Sequence, residues 1–117
     1  MALSPKEVAA AAVSAARDKK AINPVLLDIK DISVICDYFI ICSGNSTTQV
    51  KALAEHIETK LKEEGLPVNR REGLQDAHWI LLDYGSVVVH IFLEEDRHFY
   101  NLERLWSDAK VVDIKAL

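Results

Sequence analysis

Two apolar runs separated by only two residues constrain the fold more than any other feature of this sequence. The segments 79–84 (WILLDY) and 87–92 (VVVHIF) flank Gly85-Ser86. Segments rich in β-branched and aromatic residues favour strands, and a two-residue linker that contains glycine is typical of a tight hairpin turn. The sequence therefore predicts an antiparallel pair in which Trp79 lies opposite Phe92 and Asp83 lies opposite Val88.

The predicted register gives the hairpin two different faces, because successive side chains of a strand point to opposite sides. One face is ordinary core, and Tyr84 lies at its end. The other face carries Trp79, Leu81, Asp83, Val88, His90 and Phe92. Ionisable groups are costly to bury without partners, so this mixed face suits a protein interface. In the alternative interpretation, Trp79 and Phe92 pack under the final helix and His90 bonds to a backbone carbonyl.

The remaining patterns predict one α/β domain over residues 1–117, with a mixed sheet of about five strands and packed helices. Further strands are expected at residues 25–29 and 38–43, and residues 68–72 and 111–114 are weaker strand candidates. Residues 68–72 fit an exposed loop equally well. Helices are expected from Ser4 to about Lys20, from Ser46 to Gly65 and from Glu95 to Trp106. Ser4 with Glu7, and Ser46 with Gln49, have the spacing of capping boxes.

Composition limits the classes of partner and compartment. The formal net charge of -4 gives no electrostatic attraction to bare nucleic acid, so direct nucleic-acid binding is not expected. The N-terminal segment does not resemble a secretory signal, and no apolar run is long enough to span a bilayer. We therefore expect a cytoplasmic protein in which Cys36 and Cys42 are buried thiols.

Sequence motifs give little support for catalysis. No metal signature, phosphate-binding loop or serine-nucleophile motif is present, and no cofactor or metal is expected. Residues 43–46 (SGNS) before a helix are more typical of capping than of anion binding. Nucleotidyl transfer is the strongest enzymatic alternative, but its two-metal chemistry needs a second carboxylate near Asp83, and the position two residues on is Gly85.

Several blocks in order resemble the bacterial ribosomal silencing factor family RsfS, also called the Iojap-related family. The blocks are residues 37–46 (DYFIICSGNS), 79–85 (WILLDYG), 87–92 (VVVHIF) and 97–106 (RHFYNLERLW). Together they span most of the chain. One departure is Ser86, where the family often has an aspartate.

The resemblance implies a nucleotidyltransferase-like fold without transferase activity. It also implies binding to the fourteenth protein of the large ribosomal subunit, which blocks joining of the small subunit and represses translation. The implied contact residues are Trp79, Asp83 and Tyr84, with Arg97, Tyr100 and Glu103 as weaker candidates. Family members also self-associate, so a homodimer is expected. A nucleotide-processing enzyme and a protein that binds RNA directly remain as alternatives.

Overall fold

The structure, a computed structural model, describes residues 3–34, 36–100 and 109–116, without the side chains of residues 98–100 and 116. Three helices are formed within these residues, namely α1 (Pro5–Asp18), α2 (Thr47–Glu63) and α3 (Glu94–Tyr100). The strands are β1 (Ile22–Asp28), β2 (Tyr38–Gly44), β3 (Arg70–Glu72), β4 (Trp79–Asp83), β5 (Val87–Leu93) and β6 (Lys110–Val112). A short 3-10 turn, Ile114–Ala116, ends the described chain.

The six strands form one mixed sheet in the order β3-β4-β5-β2-β1-β6. The central pair, β2 and β5, is parallel, whereas the other neighbouring strands are antiparallel. The estimate of about five strands was one too low, because both short segments near the ends of the sheet pair with a longer strand. Residues 70–72 join β4, and residues 110–112 join β1. The α/β class and the mixed sheet are confirmed.

The hairpin has the predicted register. Trp79 lies opposite Phe92 and Asp83 lies opposite Val88. The backbone N–H of Tyr84 donates to the carbonyl of Val87 over 2.9 Å, which closes the turn around Gly85 and Ser86. The two-residue loop and the alternation of side chains are enough to fix this pairing.

Capping agrees with the sequence at the first helix and in part at the second. Ser4 and Glu7 form a complete capping box, with hydrogen bonds of 3.0 Å and 3.2 Å between side chain and backbone. Ser46 also caps α2 by accepting from the N–H of Gln49. The Gln49 side chain, however, accepts from the N–H of Asn45 at 2.7 Å, so the reciprocal half of the second predicted box is wrong.

The main hydrophobic core lies between one face of the sheet and the helices α1 and α2. It combines the small apolar side of α1, the aliphatic side of α2 and alternate residues of β2, β4 and β5. Val13, Ile57 and Ile91 are representative, since each is almost fully buried. The opposite side of the sheet has a smaller core of Leu27, Ile29, Cys36, Ile41 and Phe92. Both cysteines are free and buried, as predicted.

Candidate protein-docking surface

The side of the hairpin that faces away from α1 and α2 carries the mixed set of residues predicted from the sequence. We call Trp79, Leu81, Asp83, Val88, His90 and Phe92 the hairpin face. Strand alternation places them together, and β2 adds Phe39 beside Val88. Phe92 and His90 are buried, whereas Trp79, Leu81, Asp83 and Val88 are partly exposed. The hairpin face therefore has a buried floor with partly accessible residues along it.

Aromatic rings form the floor. The Trp79 and Phe92 rings stack with centroids 5.0 Å apart, and the Phe39 and His90 rings meet edge to face at 4.8 Å. Such contacts are favourable beyond the apolar area that they bury. The indole N–H of Trp79 also donates to Nδ1 of His90 over 3.1 Å. Trp79 is thus held in place while one side remains partly exposed.

His90 is held neutral inside this cluster. It is only 5% exposed, and burial lowers the pKa of its imidazole to about 4. The alternative interpretation expected His90 to bond to a backbone carbonyl, but its bond is to Trp79 instead. Its second ring nitrogen, Nε2, is buried without a hydrogen-bond partner among the described residues.

Asp83 lies at the end of β4, where its carboxylate has two neighbours. Oδ1 accepts from the backbone N–H of Gly85 at 2.8 Å, and Oδ2 lies 3.8 Å from the Arg70 guanidinium of β3. The side chain is still 28% exposed. A partner's cationic group can therefore approach a carboxylate whose orientation is already fixed.

A cleft of about 360 Å³ runs along the hairpin face. Its walls include Cys36, Phe39, Leu81, Val88 and His90, and Arg70 and Asp83 line it as well. Burial raises the pKa of the Cys36 thiol to about 11, so this cysteine is a poor nucleophile near neutral pH. The cleft is suited to holding an apolar group beside a charged pair.

Tyr84 belongs to the other side of the sheet. It packs against the main core, and burial raises the pKa of its hydroxyl above the ordinary value, with the Glu58 carboxylate adding to the effect. The hydroxyl is buried and has no hydrogen-bond partner within the described part of the chain. Trp79 and Asp83 therefore share a face, and the structure does not bring Tyr84 to it.

The weaker candidates of the last helix have different outcomes. Arg97 is 8% exposed, and its guanidinium donates to the Ile22 carbonyl at 3.1 Å and to Ser43 Oγ at 3.0 Å. Such an arginine joins α3 to the sheet, and its burial leaves little of it exposed to a partner. The Tyr100 side chain and all of Glu103 lie outside the described residues. The predicted helix over 95–106 begins at Glu94 and is described as far as Tyr100.

Sequence reasoning missed Phe39 and Arg70 as parts of the surface. Both reach it through strand pairing, Phe39 from the parallel neighbour β2 and Arg70 from β3. The alternation of residues 38–43 does place Phe39 on the same side as Ile41. Which side meets the hairpin face depends on a pairing between distant segments that no local pattern encodes.

The described residues contain no cluster of three or more histidine, cysteine, aspartate or glutamate side chains that could hold a metal ion. None of the helices in the described ranges is long and apolar enough to cross a bilayer.

Comparison with known proteins agrees with the blocks identified in the sequence. The family model described as "Ribosomal silencing factor during starvation" matches residues 2–117. The ribosomal silencing factor RsfS of Halalkalibacterium halodurans is 44% identical over 115 residues, which cover 98% of each chain. The chloroplastic protein Iojap of Zea mays is 33% identical over 86% of this chain and 43% of its own length.

Solved structures give the same result for the fold. A crystal structure of a protein from Chromobacterium violaceum has a TM-score of 0.87 and 35% sequence identity, over 90% of this chain and 88% of that one. The sequence matches and the structural match both cover most of the chain and agree on one family. The chain belongs to the ribosomal silencing factor family RsfS.

Proposed function

We propose that this chain represses translation by docking onto the large ribosomal subunit through the hairpin face and thereby blocking joining of the small subunit. The partner in this proposal is the fourteenth protein of the large subunit, and the compartment is the cytoplasm. The observation that carries the proposal is a partly exposed Trp79 and an oriented Asp83 carboxylate at the two ends of β4, on the side of the sheet away from α1 and α2. Family membership supports the ribosome as the target.

The chemistry of the hairpin face fits this role. Trp79 contributes apolar area, and tryptophan is among the residues most enriched at binding hot spots. Asp83 can pair with a lysine or arginine of the partner, because its carboxylate is partly exposed and already oriented. The excess of acidic residues favours encounter with a basic ribosomal protein. The proposed contact surface is Trp79 and Asp83, with Leu81 between them and Val88 opposite Asp83.

The proposed mechanism is occlusion and involves no chemical turnover. The docked domain and the small subunit cannot occupy the same volume, so a modest interface is enough to prevent joining. The names of the relatives, which describe silencing factors, fit a protein that is not an enzyme. Self-association is also part of the proposal, since the family resemblance implies it.

Sedimentation of purified ribosomal subunits tests the proposal. The chain should sediment with large subunits, and adding it before small subunits should reduce the amount of joined ribosomes. Large subunits that lack the fourteenth protein should not bind the chain. Asp83→Ala should weaken binding, whereas Lys51→Ala, on the exposed side of α2, should not.

Other outcomes would contradict the proposal. Binding to protein-free ribosomal RNA that falls steeply with salt would favour direct RNA recognition. Magnesium-dependent turnover of a nucleotide would establish an enzyme. Normal subunit joining in the presence of bound chain would remove the occlusion mechanism.

A further inference from the structure

The segment between β1 and β2 presents two exposed apolar side chains. We call its described residues, 29–34, 36 and 37, the β1–β2 loop. Three large hydrophobic side chains are exposed among the described residues, namely Ile32, Val34 and Val111. Val111 lies in the edge strand β6, where a β-branched residue is favoured. Ile32 and Val34 belong to no strand or helix, so secondary structure does not account for their exposure.

Hydrogen bonds hold the β1–β2 loop in place. The N–H of Ile29 donates to the carbonyl of Asp37 at 2.9 Å, which closes the loop at its base. The N–H of Ser33 donates to the carbonyl of Ile29 at 2.8 Å. The Asp31 carboxylate accepts from the Lys110 side chain at 3.1 Å. An apolar residue on a loop that is already ordered loses little conformational entropy when a partner covers it.

The β1–β2 loop is continuous with the hairpin face. The N–H groups of Asp37 and Tyr38 donate to the carbonyl of Ser86 in the hairpin turn, at 2.8 Å and 3.1 Å. Ser33, which lies between the two exposed apolar residues in the chain, lines the same cleft as Asp83. Ile32 and Val34 therefore flank a residue of the cleft wall.

The charges near the β1–β2 loop leave one carboxylate in excess. Three cations there are each paired with a carboxylate, in the pairs Lys30–Asp28, Lys110–Asp31 and Arg70–Asp83. Asp37 is partly exposed and forms no ion pair within the described part of the chain. Burial raises the pKa of the Cys36 thiol, and the Asp37 and Asp83 carboxylates add to this effect, which places both of them near the cleft. The unpaired charge is therefore negative.

This charge limits what kind of surface can cover the β1–β2 loop. The chain belongs to a family of ribosomal factors, so ribosomal RNA, a ribosomal protein and a second copy of the chain are the surfaces to compare. An unpaired carboxylate repels the phosphates of RNA. A second copy brings its own net charge of -4. A ribosomal protein with a lysine or arginine beside an apolar patch is the complementary surface.

We infer that the β1–β2 loop is a second part of the docking surface, in which Ile32 and Val34 contact an apolar patch of a cationic ribosomal protein and Asp37 pairs with one of its cations. This inference rests on the proposed function, because it takes the protein docked on the hairpin face as the occupant. It extends the contact surface from β4 across the cleft to the loop between β1 and β2.

Thiol labelling tests whether the partner covers the β1–β2 loop. Val34→Cys introduces a thiol at a fully exposed position, and Val111→Cys introduces one on β6 as a matched control. Cys36 and Cys42 react slowly with a maleimide near neutral pH, because burial raises their pKa values to about 11 and about 12. Large ribosomal subunits at about ten times the Kd should slow labelling of Val34→Cys roughly tenfold, since only the free chain reacts. Labelling of Val111→Cys should not change.

The possible results of this labelling are distinguishable. If the parent chain does not sediment with large subunits, the docking proposal itself fails. If it does and Val34→Cys is labelled at the free rate, the inference is overturned while docking stays intact. Equal slowing of both variants would also overturn it, as coverage without specificity. Protection of Val34→Cys by protein-free ribosomal RNA, or by excess parent chain, would assign the loop to RNA or to a second copy instead.

Val34→Ala tests the apolar contact by affinity. It removes two methyl groups from a fully exposed side chain, so folding should be unaffected while binding to large subunits weakens on the order of tenfold. Val111→Ala should bind as the parent chain does. Urea unfolding of the three proteins confirms equal stability. Parent-like binding by Val34→Ala would exclude the contact.

Asp37→Asn tests the charged contact. It removes the unpaired carboxylate and should weaken binding up to about fivefold at low salt, with a smaller effect at high salt. Asp31→Asn is the control, because the Asp31 carboxylate is already paired with Lys110. Equal effects of the two substitutions would exclude pairing through Asp37.

Discussion

Individual residues on the hairpin face combine structural and recognition roles. Trp79 stacks on Phe92 and bonds to His90, yet it keeps part of its surface exposed. A residue held by its neighbours in this way loses little conformational entropy on binding, which favours affinity. The same contacts mean that a substitution at Trp79 alters both the floor and the exposed part of the surface.

Replacing Trp79 with alanine should weaken binding to large ribosomal subunits by about 2 kcal/mol or more, the range expected of a hot spot. A binding titration, with circular dichroism to confirm folding, measures this loss. If a folded Trp79→Ala chain binds subunits as the parent does, Trp79 is not part of the contact surface.

Stability should depend on pH through His90. Burial lowers the pKa of its imidazole from the ordinary 6.5 to about 4, so between these values the unfolded chain binds a proton that the folded chain does not. Stability from this residue is therefore complete above about pH 6.5 and falls as pH decreases towards 4, by on the order of 3 kcal/mol. Urea unfolding of the parent chain and of His90→Gln at each pH isolates this contribution. An identical pH profile in both proteins would contradict it.

At the residue scale, the sequence predicts which residues lie opposite one another in the hairpin better than it predicts the contacts that their side chains make. The partner of each hairpin residue follows from a side-chain period of two and a two-residue turn, and all five pairs recorded between β4 and β5 agree. The hydrogen bond between Trp79 and His90 does not follow, because it depends on rotamers in a packed cluster. Tyr84 was grouped with Trp79 and Asp83 through the family resemblance, although alternation already placed it at the end of the other face.

At the scale of elements, β4 is supported by a turn that admits only glycine at one position. Gly73 has a φ of +82°, and a Cβ there would lie 2.0 Å from the backbone oxygen of Trp79. Gly65 has a similar φ of +85° but open space around the corresponding position. A side chain at Gly65 would therefore meet only backbone strain, whereas a side chain at Gly73 would meet a steric clash as well.

Alanine substitution at these glycines should have unequal effects. Gly65→Ala forces alanine into a left-handed backbone conformation without any clash, and this should lower the free energy of unfolding by about 1 kcal/mol. Gly73→Ala adds a clash with the start of β4 and should cost at least about 3 kcal/mol. Chemical denaturation of both variants measures the difference. Equal losses would show that the turn around Gly73 adjusts without disturbing β4.

The buried guanidinium of Arg97 joins α3 to two strands. It donates to the Ile22 carbonyl in β1 and to Ser43 in β2. Strand β2 belongs to the central parallel pair, and β1 is its other neighbour. Replacement by methionine keeps most of the length but removes both of these hydrogen bonds. We expect a loss of about 2–3 kcal/mol of unfolding free energy, because hydrogen bonds to charged groups are among the stronger ones.

The lysine variant provides the control for Arg97. Lysine keeps the charge but lacks the planar fork of donors, so Arg97→Lys should fall between the parent chain and Arg97→Met. Thermal or urea unfolding of the three proteins gives the order. Full stability of Arg97→Met would show that these bonds do not hold α3 in place.

Elements were predictable where their signals are local. Capping at Ser4, the stop at Gly65 and the hairpin all depend on neighbouring residues, and all three are observed. Short edge strands are harder, since three residues such as 70–72 form a strand only because a partner is present. The Gln49 side chain accepts from the N–H of Asn45 and not from that of Ser46, and the spacing of the two residues does not distinguish these donors.

At the scale of the whole molecule, charge should govern the rate of encounter with the ribosome. The chain is acidic overall, so association with a basic partner should slow as ionic strength rises. Stopped-flow association rates at several salt concentrations test this expectation. Asp83→Asn should reduce the salt dependence, whereas Glu55→Gln, on the exposed side of α2, should change it less. Rates independent of salt would exclude steering by charge.

The parallel pairing of β2 with β5 has a consequence for synthesis. The two central strands are separated by α2 and the antiparallel pair of β3 and β4, and β2 pairs with β5 as far as Leu93. A nascent chain that has emerged only as far as α2 carries one central strand without its neighbour, and non-local pairing of this kind is slow to form. The centre of the sheet therefore forms only after β5 has emerged and can pair with β2.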